Sequence, residues 1–198
     1  MARVPYEAWE SKRTDSALLS ELTESIGGGY EVQADDSDEE MAEGPLGYGT
    51  LVTVDLQGRG VQDPMAAALS AALPSCPPRR AVSLTVRSAD DFQINDGLTD
   101  GGFTAIASAT THCKGLTGLS LGYNKGVTAL GARALADALP LCHELQFLCL
   151  NGNESIRDSG AEALASALSH CKKLAVLEML CCGLGDQGAK NLAKNLPS

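Results

Sequence analysis

Apolar and polar positions between residues 116 and 182 follow a fixed pattern. Leu116, Leu119, Leu121 and Asn124 are matched by Leu145, Leu148, Leu150 and Asn153, then by Leu174, Leu177, Met179 and Cys182, each step being 29 residues. The alternation inside each x-L-x-L-x segment is the period of a strand with one buried face. The stretches that follow, GVTALGARALADALPLC, SIRDSGAEALASALSHC and GLGDQGAKNLAKNLPS, instead space Ala and Leu at a helical interval. Each unit therefore predicts a strand, a turn and a helix. GVQDPMAAALSAALPSC and GLTDGGFTAIASATTHC have the same helical form and complete two earlier units, whose strands are TLVTVDLQ and AVSLTVRS. The second of these carries about six extra residues, around Asp91 to Asn95, before its helix.

Five units of the form L-x-x-L-x-L-x-x-N/C, each with its helix, resemble the leucine-rich repeat of the ribonuclease-inhibitor type over roughly residues 49 to 198. That resemblance implies an α/β fold, a right-handed leucine-rich-repeat solenoid curved into a short horseshoe arc. Its parallel β-sheet would line the concave face and its helices the convex face. Elementary packing points the same way: one unit cannot bury its leucines alone, whereas stacked units share a core. Asn124 and Asn153 are placed to offer a side-chain amide to the backbone of the turn.

The helix columns predict how the stack is closed. With Leu164 turned to the core, positions 161 and 165 share one side of the helix and 163 and 167 the other. The second pair reads Ala68, Ala105, Ala134, Ala163, Asn191 and Ala72, Ala109, Ala138, Ala167, Asn195. Because small residues let helices approach closely, the asparagines are expected on the face where a further unit would have packed and, with Lys190 and Lys194 beside them, make the last repeat a polar C-terminal cap. At the other end, residues 1–48 are expected to form an acidic segment with one amphipathic capping helix, TDSALLSELTESIGGG, apolar at Leu18, Leu19, Leu22 and Ile26 and stopped at Gly27. YEVQ after it suits a short strand.

Charge modifies this picture at one place only. Residues 1–48 hold 12 Asp and Glu against 3 Lys and Arg, so −9 of the net −10 lies there, with its peak in DDSDEE at 35–40. Such a block is either a solvated segment or an arm for a basic partner. An acidic chain without a basic stripe argues against nucleic acid. No run of 18 apolar residues exists, and MARVPYEAWESKR lacks the apolar stretch of a secretory signal, so neither membrane insertion nor export is expected. The seven cysteines, an odd number that includes the adjacent Cys181 and Cys182, suit reduced thiols in a cytoplasmic or nuclear setting.

No active site assembles from these residues. The Gly27–Gly29 run lacks the lysine of a phosphate-binding loop. His112, His143 and His170 each adjoin a repeat cysteine (Cys113, Cys142, Cys171), but every pair sits at the same point of a successive unit, stepped along the stack, so neither a metal site nor a cofactor is expected. Disulfides among Cys76, Cys113, Cys142 and Cys171 are disfavoured because neighbouring helices stand about 8–10 Å apart. The Ran GTPase-activating protein, of the same repeat class, acts through an asparagine and arginines; Arg59, Arg87, Asn124 and Arg157 lie near strand ends or turns, without a residue-by-residue match to that family's motif.

What remains is surface. The outward positions form three rows: Thr53, Ser83, Gly118, Phe147, Val176; Asp55, Thr85, Ser120, Cys149, Glu178; and Gln57, Arg87, Gly122, Asn151, Leu180. The last two units would gather Phe147, Cys149, Asn151, Val176, Glu178 and Leu180, with Tyr123 at the rim. Two readings stay open: an interaction patch anchored by an aromatic, or Phe147 folded over Gly118 and Gly122 to fill the gap they leave. The expectation is a non-enzymatic protein-binding module, an adaptor or accessory subunit of a larger complex. The alternative is a GTPase-activating or other regulatory protein similar to the Ran activator.

Overall fold

The computed structural model describes residues 32–34, 49–55, 62–72, 80–86 and 95–196. Eight strands are present among them: β1 (Val32–Ala34), β2 (Gly49–Asp55), β3 (Arg80–Thr85), β4 (Asn95–Thr99), β5 (Leu116–Ser120), β6 (Asn124–Gly126), β7 (Phe147–Cys149) and β8 (Val176–Glu178). Helices α1 (Asp63–Ala72), α2 (Asp100–Thr110), α3 (Ala129–Ala138), α4 (Arg157–Leu168) and α5 (Asp186–Asn195) alternate with them. The main sheet runs β1-β2-β3-β5-β7-β8. Its pairs from β2 onward are parallel, and β1 joins β2 antiparallel. Register sets Ser83 beside Gly118, Gly118 beside Phe147 and Phe147 beside Val176, one repeat per strand. The proposed capping helix, the DDSDEE run, Gln57, Arg59, Cys76 and Arg87 lie outside the described residues, as does most of the second-unit insertion.

Leucines of successive units close the interior. Leu116, Leu119, Leu121, Leu145, Leu148 and Leu150 are buried from the strands, and Phe103, Ile106, Leu135, Leu164 and Leu168 meet them from the helices. The asparagines at the strand ends form a ladder. Asn153 Oδ1 accepts from Asn124 N at 3.0 Å while its Nδ2 donates to Leu150 O (2.7 Å) and Leu121 O (3.0 Å). Asn124 Nδ2 in turn donates to Leu121 O, Gly122 O and Val86 O. Both amides are fully buried. An amide suits the position because it supplies donors and an acceptor at once to backbone groups that the turn leaves unpaired. In the last unit Cys182 takes this place, its thiol lying 3.1 Å from Leu150 O, and burial pushes the thiol up to about 11. One unit earlier, strand β4 pairs with β6 in a second, two-stranded sheet that sets Asn95 opposite Asn124.

The helix layer is tied by aspartates. Asp100, at the first position of α2, accepts from Thr128 N (2.8 Å), Thr128 Oγ1 (2.7 Å) and Gly131 N (2.9 Å) at the start of α3. Asp158 of α4 does the same for Gly185 N and Gly188 N at the start of α5. Asp63 of α1 holds Thr99 N and the Thr99 hydroxyl. Each carboxylate satisfies N–H groups that a helix leaves unpaired at its start and meets the positive end of its dipole. The third residue of the receiving helix is glycine because a Cβ at Gly131 would stand 2.6 Å from Asp100 Oδ1. At the junction between α3 and α4 the aspartate position is Ala129, and α4 has no side-chain cap.

Burial opposes ionisation of Asp63, but bonds from Thr99 and Gly102 outweigh it and hold the carboxyl below its ordinary value. A lowered folded value means that this stabilisation is present above the unfolded pKa and is lost as pH falls through the folded one. The stability gap between wild type and Asp63→Asn is therefore expected to be constant at neutral pH and to shrink below about pH 4. Chemical denaturation at a series of pH values checks this.

The terminal helix corrects one expectation. Gly188 faces α4, since a Cβ there would lie 3.3 Å from Ala161 Cβ, so Asn191 and Asn195, three and seven residues on, lie on that same side. Both are half-buried, and Asn195 Nδ2 donates to Asn191 O. Ala189 and Ala193 are exposed, whereas their counterparts Ala161 and Ala165 are buried. The polar substitutions thus line the inner contact and the small apolar pair looks outward, the reverse of the expected arrangement. Helical spacing groups residues by side but does not say which neighbour a side meets.

Candidate protein-interaction face

Beyond the leucine core, the opposite side of the sheet grows more exposed toward β8. In the first row Gly118 is buried, Phe147 half-buried and Val176 45% exposed. In the third, Gly122 is buried, Asn151 half-buried and Leu180 67% exposed. Glu178 stands exposed between Val176 and Leu180. Asn151 organises this corner: its Nδ2 donates to Glu178 Oε2 at 3.0 Å and its Oδ1 accepts from Leu180 N at 2.7 Å. The carboxylate is thereby fixed between two apolar side chains. Tyr123 borders the group through its backbone, its N donating to Asn151 O at 2.6 Å. Its ring lies over Gly152, where a Cβ would come within 2.4 Å of it, and Gly152 also holds φ +72°, so that position needs glycine twice over.

Cys149 does not belong to the exposed set. Strand alternation points it to the open side, yet it is only 3% exposed, because its row neighbours Ser120 and Glu178 close over it. Burial, with Glu178 beside it, raises the thiol above its usual range, so at neutral pH it is protonated and a poor nucleophile. Phe147 combines features of the two readings: it is half-buried, with the buried Gly118 on one side of it in the row and the exposed Val176 on the other.

The other candidates have structural employment. Asn124, the amide considered for GTPase activation, is wholly buried and bonded to the turn backbone. Arg157 is exposed at φ +54° beside a shallow hollow shared with Glu154, Ser155, Cys181 and Gly183. Cys113, Cys142 and Cys171 are buried at the helix ends, with His112, His143 and His170 exposed next to them. Cys142 Sγ lies 3.6 Å from Thr110 Oγ1, and burial pushes Cys171 up to about 11. Among the described residues no three His, Cys, Asp or Glu gather closely enough to hold a metal ion, and no helix is long and apolar enough to cross a membrane.

Residues 142–165 and 170–193 each match the leucine-rich repeat family. With the parallel strands and alternating helices, these matches support a leucine-rich repeat protein of α/β class, and such repeats are commonly protein-interaction modules. A search of curated proteins finds no match. Two features that the repeat spacing did not bring out nevertheless leave a signal in the sequence: the aspartates that cap the next helix are Asp63, Asp100 and Asp158, each in the first turn of its helix, and Asn95 stands 29 residues before Asn124.

Proposed function

We propose that the chain is a non-enzymatic protein-interaction module, an adaptor or accessory subunit of a larger assembly, acting in the cytoplasm or nucleus. It binds its partner through the open sheet face of the C-terminal repeats, the concave side of a right-handed solenoid of the ribonuclease-inhibitor type. One observation carries this reading: Val176 and Leu180, two exposed apolar side chains, flank a carboxylate that Asn151 holds in place, with Phe147 adjacent. Clustered apolar exposure of this kind marks interaction surfaces, and an aromatic at its side is a common anchor. A fixed Glu178 favours a partner that brings a basic group beside an apolar one. Few strands contribute, so the interface is small unless flanking segments add to it.

The test is an affinity pull-down from source-cell extract, quantified by mass spectrometry. Leu180→Asp is compared with Leu130→Asp, a change at a 70% exposed position on α3 outside this face. Both substitutions leave the core untouched. Loss of one stoichiometric partner with the first and retention with the second supports the reading; retention with both removes it.

A further inference from the structure

Among the described outward positions of β5, β7 and β8, Glu178 is the sole carboxylate, and no lysine, arginine or histidine stands beside it there. It has no ion-pair partner among the described residues, whereas Glu144 at the strand starts is paired with Lys173 at 2.7 Å. A lone exposed carboxylate is ordinary; a fixed one is not. Asn151 Oδ1 accepts from Leu180 N at 2.7 Å, and only an oxygen can meet a backbone N–H, so the orientation of the amide follows. Its Nδ2 is thereby turned to Glu178 Oε2, 3.0 Å away. Exposed ion pairs usually contribute little, because two long side chains must be ordered and water screens them. Here one side is ordered before binding. Val176 and Leu180, both exposed, stand on either side of the carboxylate, so apolar atoms laid across them would displace water from it.

We propose that this corner receives a single cationic side chain, a lysine or arginine of the bound protein, with its aliphatic stem along Val176 and Leu180 and its head on Glu178. The inference rests on the partner-binding reading and adds the charge and number of the side chain that the face selects. An organic cation fits better than a metal ion, which needs several oxygens: one carboxylate is present, and Asn151 Oδ1 is occupied by Leu180 N. Phe147 stands diagonal to Glu178 across the β7–β8 pair, within the range at which an aromatic ring favours the same cation. Asn151 acts through Glu178 and is a positioning residue.

A random peptide library displayed on phage and selected on the immobilised 198-residue chain tests this, with the strongest peptide synthesised and its affinity measured by fluorescence anisotropy. Selected peptides are expected to carry a lysine or arginine beside apolar residues. Replacing that cation by glutamine should weaken binding about ten- to a hundredfold. Glu178→Gln should weaken it as much, and the two changes together should cost no more than either alone. Glu178→Lys should bind best when the peptide's cation is exchanged for glutamate. Asn151→Ala, with an unchanged circular dichroism spectrum, should weaken the cationic peptide and leave the glutamine peptide unaffected, a difference that general damage to the fold would not produce. Peptides that are lost with Leu180→Asp yet tolerate Glu178→Gln overturn this inference and leave the partner-binding reading standing. A selection that yields no peptide sensitive to Leu180→Asp removes both.

Discussion

Asn153→Ala is expected to lower the free energy of unfolding by roughly 2–4 kcal/mol, far more than its size suggests. The substitution removes three hydrogen bonds. The two carbonyls keep other donors, since Leu121 O still receives Asn124 Nδ2 and Leu150 O still receives the Cys182 thiol. Asn124 N–H loses its bond to Asn153 Oδ1, and removing an acceptor from a buried backbone amide is the costly element. Loss should also be non-additive with Asn124→Ala, because the two amides belong to one ladder. Urea denaturation of the two single variants and the double checks both statements; a cost below about 1 kcal/mol would mean that water reaches this turn and replaces the amide.

The second large effect lies one layer deeper. Leu148→Ala should cost roughly 3–5 kcal/mol, since Leu148 is fully buried between Leu119 and Leu177 and its loss leaves a cavity. Leu177→Ala, the same position one repeat later, should cost only about 1–2 kcal/mol because the side chain is half-buried. Urea denaturation of the two variants checks this: equal losses would show that the terminal strand is covered as fully as the central one, contrary to the burial described.

Much of the architecture was legible because each repeat buries the same few positions. Leu119, Leu148 and Leu177 announce themselves by spacing, and the strand register follows once they are aligned: Thr85, Ser120, Cys149 and Glu178 do form one row. What spacing cannot convey is the contact made by a side chain after its direction is set. Cys149 points to the open side and is nevertheless covered by its row neighbours. Asn191 and Asn195 share a side of α5, but only the approach of Gly188 to Ala161 shows that this side meets α4. The aspartate bonds at helix starts are likewise invisible in a single unit, since each carboxylate serves the repeat after its own. Tyr123, Gly152 and Cys181 all take positive φ at the same repeat position, a backbone demand that the sequence reveals only at the glycine.

The central claim is that a protein partner docks on the open sheet face of the C-terminal repeats. Hydrogen–deuterium exchange of the chain alone and in complex with its captured partner tests this most directly. The account predicts new protection over residues 147–151 and 176–180, with the exposed side of α3 and α4 unchanged. Protection confined to the helices, with those two segments exchanging as in the free chain, would contradict it.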